Sequence, residues 1–264
     1  MDQPRFSKLF VVGVGHSGST LLGRMLNMHP DIICVGELLR LDHAVDNPDE
    51  HCFCDTPLNM CSFWSRWAPK FPESVKRDYL QWTPELIDYI RTEEGKKVIV
   101  DLSKTRSYRL TKDWKDTDIC YLFIVRDPRG VMRSALHKGG DLSDLLPRHK
   151  KWIERYESFA KKRRSTCLTV FYEELVASPE THLQRVCDFL GLSFFPAMLT
   201  PDSKTHHFVH SSGSRYLKSI NKLRVDDRWR TELTLEQIER INKYLGKVDM
   251  YRHRYQLLAP VYKL

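Results

Sequence analysis

The residues with the clearest potential for chemistry lie near the amino terminus, in a glycine-rich stretch between two apolar segments. Gly13 and Gly18 are spaced as in the phosphate-binding pattern G-x-x-x-x-G-K-[ST], and Thr20 occupies its last position. Glycines let the backbone approach an anion closely, and the free N–H groups at the start of a helix attract negative charge. The spacing therefore predicts an anion site, against the simpler alternative of a tight turn without a ligand.

One position departs from the pattern of nucleotide triphosphatases. Ser19 stands where those enzymes have the lysine that contacts the β- and γ-phosphates. This change argues against ATP or GTP chemistry but leaves the anion site in place. Asp101 follows another apolar run and resembles, weakly, the carboxylate that holds magnesium in such enzymes. A nucleotide or small-molecule kinase, and a catalytically dead nucleotide-binding scaffold, therefore remain as alternatives.

More polar residues follow other apolar runs, namely Glu37, Lys104 and Arg126. Open α/β sheets bind ligands at the carboxyl ends of their strands, so these side chains are expected near the glycine-rich loop. Arg126 offers a planar fork that suits phosphate oxygens, and Ser134 could donate its hydroxyl to the same group. For Glu37 and Lys104, a solvated surface charge is the simpler alternative.

Alternating strands and helices must position these residues. Apolar runs predict strands at 9–12, 32–35, 97–100, 119–125 and 167–171, and helices are predicted to begin at residues 19, 128, 147, 178 and 234. This alternation predicts an α/β fold in three layers, with one parallel sheet flanked by helices. We expect a single domain over residues 1–264, with a helical insertion at about 40–95.

Composition sets broad limits on the function. The chain has 264 residues, 41% of them hydrophobic, and a net charge of +8, which suits an anionic ligand without requiring one. It contains no apolar run long enough for a membrane span, and the first ten residues do not resemble a signal peptide. We therefore expect a cytoplasmic protein. Seven cysteines, an odd number, favour mostly reduced thiols.

Three cysteines, Cys52, Cys54 and Cys61, fall within the insertion. A zinc site would need a fourth ligand, for which His51 and Cys34 are the candidates. The C-x-C spacing differs from the usual C-x2-C pairs of zinc sites, so a local disulfide or buried thiols are preferred. The predicted site contains no metal.

The insertion is also rich in aromatic residues, and a later polar stretch, 201–228, is rich in histidine. The H-H-x-x-H segment of that stretch, at 206–210, has no carboxylate partner, so a metal site is not favoured there. Its segment 206–215 is interpreted as a long loop, a class that is often functional.

The aromatic residues of the insertion could line an acceptor pocket, but most of them are expected to form core. They are Phe63, Trp64, Trp67, Phe71, Tyr79, Trp82 and Tyr89.

Five blocks, taken in order, make the chain resemble PAPS-dependent sulfotransferases, which move a sulfuryl group from 3'-phosphoadenosine 5'-phosphosulfate (PAPS) to an acceptor. The blocks are GHSGSTLLGRMLNMHPDI, FIVRDPRGVMRSAL, FYEELVASPETHLQRVCDFLGL, HHFVHSSGSR and WRTELTLEQIERI. The ordered set reaches from about residue 9 to about residue 250. The resemblance implies the P-loop-like sulfotransferase fold, PAPS as donor, PAP (3'-phosphoadenosine 5'-phosphate) as product, and no required metal.

The same resemblance implies roles around the donor. The glycine-rich loop would hold the 5'-phosphosulfate, an arginine and a serine the 3'-phosphate, and a tyrosine the adenine. A late loop, which departs from the family's G-N-x-x-R wording, would close over the nucleotide. In that order the matching residues are His16, Ser17, Gly18, Ser19 and Thr20; Arg126 and Ser134; Tyr172; and Gly213, Ser214 and Arg215.

The catalytic residues implied by the resemblance are Glu37, Lys104 and His16. Glu37 is similar in position to the catalytic glutamate of tyrosylprotein sulfotransferases through HPDIICVGE, and Lys104 resembles their lysine, although S-K-T replaces N-K-D. Sulfuryl transfer is an in-line displacement that needs positioning and charge stabilisation. Glu37 would take the acceptor's hydroxyl proton, and Lys104 would stabilise charge on the bridging oxygen.

His16 differs from the family, which usually has Lys or Arg at this position. A histidine can be neutral or charged near neutral pH. Our hypothesis is that His16 serves as an imidazolium or as an N–H donor to the leaving phosphate. The alternative is that His16 only shapes the loop.

The acceptor is not specified by the sequence. Residues 38–95 are expected to shape its pocket, which would accept a hydroxyl on a small molecule, a carbohydrate, a lipid or a peptide tyrosine. No nucleic-acid partner is expected, because the basic run at 161–164 suits a solvated helix end. A homo-oligomer remains open.

Overall fold

A central parallel sheet organises the molecule, for which a computed structural model describes residues 3–41, 47, 49–67, 84–104, 111, 117–201, 206–209, 223–252, 254–255 and 257. Its strands are β1 Lys8–Val12, β2 Ile32–Gly36, β3 Val98–Asp101, β4 Ile119–Val125 and β5 Cys167–Phe171. They lie in the order β2-β3-β1-β4-β5, and every pair of neighbours is parallel. The five predicted strands are confirmed to within one residue at each end.

Helices connect and cover these strands. Within the described residues they are α1 Ser19–Asn27, α2 Trp64–Trp67, α3 Pro84–Glu93, α4 Pro128–Leu136, α5 Leu142–Lys162, α6 Tyr172–Ala177, α7 Pro179–Leu190, α8 Trp229–Glu232, α9 Leu235–Leu245 and α10 Asp249–Arg252. Short 3-10 helices lie at Leu38–Arg40, Leu58–Met60, Arg164–Thr166 and Pro196–Leu199.

The sheet is covered on both faces, as its nearly continuous apolar strands predict. Along β4, Tyr121 and Phe123 join one hydrophobic cluster, and Cys120 and Leu122 join the other. The first cluster includes residues of α4, α5 and α9, and the ring of Tyr121 lies 4.9 Å from that of Phe159 on α5. The second includes residues of α1, α6 and α7. The predicted three-layer α/β fold is confirmed.

Capping residues fix several helix ends where the sequence places them. The side chain of Asp127 accepts a hydrogen bond from the Arg129 N–H at the start of α4. Thr234 and Gln237 form a capping box at the start of α9. Gly191 ends α7 with φ of 74°, in the left-handed region that glycine adopts easily.

The long helix α5 begins earlier than predicted. The sequence places its start at Pro147, because proline is favoured in the first turn of a helix. The structure starts the helix at Leu142, with Pro147 inside its second turn. A proline so close to the start removes one backbone hydrogen bond, and the long apolar face of the helix outweighs that loss.

The described part of the insertion packs onto the same face of the sheet as α5. Phe63, Trp64 and Trp67 are buried in that cluster, which confirms their interpretation as core, whereas Tyr89 is exposed. Phe71, Tyr79 and Trp82 lie outside the described residues. Among the helices that the structure describes, none is both long enough and apolar enough to cross a bilayer.

Candidate active site

The glycine-rich loop connects β1, in the middle of the sheet, to α1. Gly18 precedes α1 with φ of 95°, and a Cβ atom there would lie 2.5 Å from the ring of Tyr172. A Cβ atom at Gly13 would lie 2.8 Å from the Ser17 hydroxyl and 2.9 Å from the Ile124 carbonyl oxygen. Both positions therefore require glycine, and the loop folds tightly against β4 and Tyr172 at the amino end of α1.

Two buried polar atoms beside this loop test whether it fits an anion. Among the described residues, the Ser17 hydroxyl and the Arg126 Nε make no hydrogen bond, and both residues are buried. Buried polar atoms nearly always have partners, so two donors without a hydrogen bond beside an anion-binding type of loop call for an explanation, and a bound anion provides one. A phosphosulfate or phosphate oxygen would accept from both groups. The residues present therefore fit the 5'- and 3'-anionic groups of PAPS. Ser19 and Thr20 are buried in the first turn of α1.

Arg126 joins three of the predicted regions. It follows β4, and its Nη1 donates to the His16 carbonyl oxygen over 2.9 Å. The centre of its guanidinium group lies 4.7 Å from the centre of the Tyr172 ring. The glycine-rich loop, the end of β4 and the start of α6 thus converge, and they bring His16, Gly18, Arg126 and Tyr172 together. Burial raises the pKa of the Tyr172 hydroxyl.

Ser134 lies on α4 one turn beyond Gly130, the residue that Arg126 approaches. Its hydroxyl donates to the Gly130 carbonyl oxygen over 3.0 Å. A Cβ atom at Gly130 would lie 3.1 Å from the Arg126 Nε. Residues four apart share a helix face, so Ser134 lies one turn beyond the contact with the guanidinium. This placement is compatible with a shared phosphate ligand.

Asp226 is a residue of the site that the sequence analysis did not identify. Its Oδ2 accepts a hydrogen bond of 2.9 Å from Arg126 Nη2, and its Oδ1 accepts one of 2.7 Å from Arg228 Nε. The bond from Arg228, reinforced by Arg126, holds the pKa of Asp226 well below its usual range. A carboxylate thus occupies one edge of the guanidinium. Its sequence signal is weak, since it lies in a polar stretch without periodicity.

Glu37 and Lys104 form an ion pair at the carboxyl ends of β2 and β3. The Lys104 ammonium donates to Glu37 Oε1, and each side chain is only 13% exposed. Lys104 has φ of 60°, a conformation that is uncommon for residues other than glycine and clusters at functional sites. The predicted base and the predicted cation therefore meet at the edge of the sheet where a ligand is expected.

Asp101 and Ser103 hold the Lys104 loop in place. Asp101 Oδ1 accepts from the Ser103 N–H over 2.7 Å and from its hydroxyl over 2.5 Å. The Ser103 hydroxyl oxygen in turn accepts from the Leu39 N–H over 3.1 Å, just beyond Glu37. The weak resemblance of Asp101 to a magnesium ligand is therefore better explained by a positioning role, because this carboxylate is buried and its Oδ1 is used by Ser103.

Glu37 is also fixed through its backbone. Its N–H donates to the Val209 carbonyl oxygen over 2.9 Å, and the Val209 N–H donates to Val35 over 3.1 Å. Residues 206–209 thus extend the edge of the sheet next to β2. Gly213, Ser214 and Arg215, the predicted residues of the late loop, lie outside the described residues.

His16 lies among cations, and its protonation follows from that position. Its pKa is lowered to about 4, first by burial and then by the charges of Lys138, Lys104 and Arg126. The ring is therefore neutral at pH 7 before an anion binds, which favours an N–H donor over an imidazolium. Lys138 was not identified from the sequence, because it lies in a polar turn and the chain contains many other lysines.

The three cysteines of the insertion lie close to a histidine that the sequence analysis did not propose as the fourth ligand. The ligand atoms of Cys52, Cys54, Cys61 and His207 all lie within 4.8 Å of one another. His51 is exposed and bonds instead to the Asp49 carbonyl oxygen, so the fourth member proposed from the sequence is wrong. Spacing along the chain could not show His207, which lies 146 residues beyond Cys61.

Cys34, the other fourth ligand proposed from the sequence, and His206, the neighbour of His207, are not part of this cluster. Cys34 is buried within β2. His206 Nε2 donates to the Pro201 carbonyl oxygen over 2.7 Å, and its Nδ1 accepts from the Asn27 amide over 2.9 Å. His206 is therefore a structural residue, and His207 alone of the two turns toward the cysteines.

Comparison with known proteins agrees with this geometry. The model of the sulfotransferase domain family matches residues 6–252. The chain is 26% identical to protein-tyrosine sulfotransferase 1 of Danio rerio, over 96% of this chain and 70% of that protein. It is 29% identical to protein-tyrosine sulfotransferase 2 of Gallus gallus, over 92% of this chain and 66% of that protein.

Among solved structures, the fold is similar to mouse sulfotransferase SULT7A1 complexed with PAP. The TM-score is 0.57 at 16% identity, over 96% of this chain and 89% of that one. At this identity the likeness concerns the fold. Because the family model spans nearly the whole chain, and the sheet, loop and ion pair agree with it, the protein belongs to the sulfotransferase domain family.

Proposed function

We propose that this chain transfers a sulfuryl group from PAPS to a hydroxyl acceptor, with Glu37 as the general base. The observation that carries the proposal is the ion pair between Glu37 and Lys104 at the strand ends beside the glycine-rich loop. Family membership supports the reaction class. The residue roles are inferred from the family resemblance and the geometry of the site, and the acceptor class from the relatives.

Different groups of the chain would bind different parts of the donor. When bound, PAPS supplies the sulfuryl group and a phosphate leaving group. The loop backbone and the Ser17 hydroxyl would hold the 5' end, at the positive end of the α1 dipole. Arg126 and Ser134 would hold the 3'-phosphate, a group that ATP and ADP lack. Tyr172 would contact the adenine. A kinase is not favoured, since Ser19 replaces the phosphate-binding lysine.

Glu37 and Lys104 would act together on the acceptor side. The Glu37 carboxylate accepts the proton of the acceptor hydroxyl, a role that typically contributes about 10²–10⁴ in rate. Lys104 turns from Glu37 toward the oxygen that bridges the donor's sulfur and phosphorus and stabilises the charge developing there. The ion pair keeps both groups in place until the donor and acceptor separate them.

His16 would donate a hydrogen bond as a neutral ring. Its low pKa, of about 4, belongs to the protein without donor, where burial and three cations oppose its charge. An anion beside the ring would favour the protonated form and raise that pKa. No metal is required in this scheme, because a sulfuryl group carries one negative charge less than a phosphoryl group and side-chain cations suffice.

The acceptor is proposed to be a hydroxyl compound, with tyrosine side chains as the first class to test. Two relatives are named as protein-tyrosine sulfotransferases, which makes the phenol of a tyrosine peptide the natural starting point. Small phenols, sugars and lipid alcohols complete the set of acceptors.

The test is transfer of labelled sulfuryl from PAPS to each acceptor, with and without added MgCl₂. We expect turnover with at least one hydroxyl acceptor, unchanged by MgCl₂ and lost with ATP as the donor. Phosphoryl transfer from Mg-ATP to the same acceptors, with no sulfuryl transfer from PAPS, would overturn the proposal and favour a kinase.

A further inference from the structure

The cluster of Cys52, Cys54, Cys61 and His207, which we call the Cys3His cluster, has no role in the reaction described above. The His207 Nδ1 lies 3.8 Å from the Cys52 sulfur and 3.2 Å from the Cys61 sulfur. The sulfurs of Cys54 and Cys61 are 3.8 Å apart. All four ligand atoms lie within 4.8 Å of one another, so they surround a common point.

The three separations of 3.2–3.8 Å lie close to the edges of a tetrahedral zinc site. Zinc binds thiolate sulfur at about 2.3 Å and imidazole nitrogen at about 2.0–2.1 Å, so neighbouring ligand atoms are about 3.4–3.8 Å apart. Three sulfurs and one imidazole nitrogen are a donor set that zinc prefers. Four protein ligands leave no coordination position for water, as in structural zinc sites. We propose that the Cys3His cluster binds one Zn²⁺ as a structural site.

The local backbone prepares the sulfurs for this role. A tight turn brings the Asp55 N–H to the Cys52 carbonyl oxygen over 2.9 Å, and Asp55 has φ of 70°. Within the turn, the Cys52 N–H also donates to the Thr56 carbonyl oxygen over 2.9 Å. These backbone contacts fix the positions of Cys52 and Cys54 relative to each other.

The histidine is oriented by aromatic neighbours. The ring of Phe63 stacks on the His207 ring at 5.6 Å, with an angle of 10° between the planes. The indole N–H of Trp64 donates to the His207 carbonyl oxygen over 3.0 Å. Groups behind the ligands usually fix the orientation of a metal-binding histidine, and here they turn Nδ1 toward the sulfurs.

A disulfide is the competing interpretation of these cysteines. The seven cysteines are free thiols in the structure, and the separation of 3.8 Å between Cys54 and Cys61 exceeds a bond of about 2.05 Å. A disulfide would use two of the four groups and would not account for the approach of His207 Nδ1 to the sulfurs. A metal ion explains why a histidine from a distant part of the chain joins all three sulfurs.

The site would connect the insertion to the strand end that carries Glu37. It joins residues 52–61 to residues 206–209, and the Phe53 N–H also donates to Phe208 over 3.2 Å. Val209, two residues beyond His207, accepts the hydrogen bond of the Glu37 N–H. Metal loss should therefore destabilise the edge of the sheet. Any effect on turnover rests on the proposed role of Glu37, whereas metal binding does not.

The experiment measures metal and thiols in the intact protein, purified without an affinity tag, a chelator or an added reductant and under nitrogen to prevent oxidation. Mass spectrometry of the metal content should find about one zinc per chain after dialysis, and denatured protein should titrate seven thiols. Absence of zinc with five thiols would show a disulfide, and absence of zinc with seven would show buried thiols; either result overturns the proposal.

A matched pair of variants locates the metal. Cys54→Ser removes a ligand that is only partly buried, so it is the variant most compatible with folding, and it should bind little or no zinc and melt at a lower temperature. Cys167→Ser changes an equally accessible cysteine outside the cluster and should keep its zinc. Should Cys54→Ser fail to fold, Co²⁺ exchanged into the wild type reports tetrahedral thiolate coordination by its absorption spectrum. Zinc retained in full by Cys54→Ser, or a cobalt spectrum without thiolate bands, would contradict the assignment.

Discussion

Arginines and carboxylates meet in two regions of the molecule, and their hydrogen bonds are completed differently in each. Where α8 packs on α4, Arg133 directs both its Nε and its Nη2 to the Glu232 carboxylate. Arg129 binds Asp127 through Nε and Nη2 and lies 3.9 Å from the centre of the Trp229 ring. These groups are satisfied within the chain.

At the carboxyl edge of the sheet, the same kinds of residue are incompletely paired. Arg126 contacts Asp226 through Nη2, but its buried Nε and the buried Ser17 hydroxyl have no hydrogen bond among the described residues. Glu37 and Lys104 pair with each other across two strand ends. Each of these contacts could be exchanged for one to a ligand.

The difference separates structural charge from functional charge. Both regions contain buried arginines, so burial alone does not mark the site. Buried polar atoms that make no hydrogen bond also occur away from this edge among the described residues, for example His182 Nδ1 and Asn242 Oδ1. The carboxyl edge differs because two such donors, the Ser17 hydroxyl and Arg126 Nε, lie beside the glycine-rich loop, where an anion would accept from both. The predictions below use the contact of α4 with α8 as the control for the carboxyl edge.

The largest effect is expected for Glu37→Gln. The amide cannot take the acceptor's proton, so kcat should fall by about 10²–10⁴, whereas PAP binding should be unchanged. Steady-state kinetics measures kcat, and calorimetric titration measures the affinity for PAP. Glu232→Gln, at the structural contact, should retain the wild-type kcat. A Glu37→Gln enzyme with wild-type kcat would exclude Glu37 as the base.

A smaller effect is expected for Arg126→Lys. Lysine keeps the charge but loses the planar fork and the Nε donor. Hydrogen bonds to charged groups contribute about 1.5–3 kcal/mol, so PAP affinity should fall by roughly 10- to 100-fold. Arg133→Lys should leave PAP affinity unchanged and lower the melting temperature instead. Equal PAP affinity of the wild type and Arg126→Lys would remove Arg126 from the donor site.

Asp226→Asn should change PAP affinity in the opposite direction. The carboxylate competes with an incoming phosphate for Arg126, and a hydrogen bond of this kind contributes about 0.5–1.5 kcal/mol net. PAP should therefore bind roughly two- to twelve-fold more tightly, by titration at constant ionic strength. Weaker binding would indicate that Asp226 belongs to the donor site rather than competing with it.

The smallest expected effect is the contribution of His16 to the pH dependence of the free energy of unfolding. In the unfolded chain this ring takes up a proton near pH 6.5, but in the folded protein only near pH 4. The unfolded state therefore binds more protons between these values, and the stability of the protein without ligand should fall as pH falls through that window. Denaturant unfolding at pH 7, 5.5 and 4.5 measures the slope.

A second histidine provides the comparison for that slope. Burial lowers the pKa of His149 to about 4 as well, and its Nε2 lies 2.7 Å from the Tyr251 hydroxyl. His16→Asn should therefore reduce the pH dependence without abolishing it. With PAP present, the contribution of His16 should shrink, because the anion stabilises the protonated ring. An identical slope in wild type and His16→Asn would show that His16 does not titrate as described.

The fold was predictable because its signals are local. Apolar runs give four fully buried strands and the edge strand β5, which is buried at alternate residues. Asp127 and Thr234 mark helix starts by their own backbone contacts. The residues at strand ends were predictable for the same reason, since parallel strands bring Glu37 and Lys104 to one edge. Their roles, the single domain over residues 1–264 and the cytoplasmic location remain predictions.

The missed residues come from contacts between distant segments. Asp226 reaches Arg126 across 100 residues, and His207 reaches Cys61 across 146. Both lie in polar stretches where neither hydrophobic period nor spacing constrains a side chain. Lys138 acts on His16 through space and leaves no pattern either. The predicted start of α5 at Pro147 was wrong, because the tertiary packing of this helix outweighs the preference of proline for a first turn.

The most direct test of the central claim, that the carboxyl edge binds a nucleotide with a 3'-phosphate, is thermal unfolding with PAP, ADP and Mg-ATP. A ligand at 100 times its Kd adds about 2.7 kcal/mol, which is roughly a 5–10 °C shift for a chain of this size. We predict that shift with PAP and little with ADP or Mg-ATP. A shift with Mg-ATP and none with PAP would contradict the account.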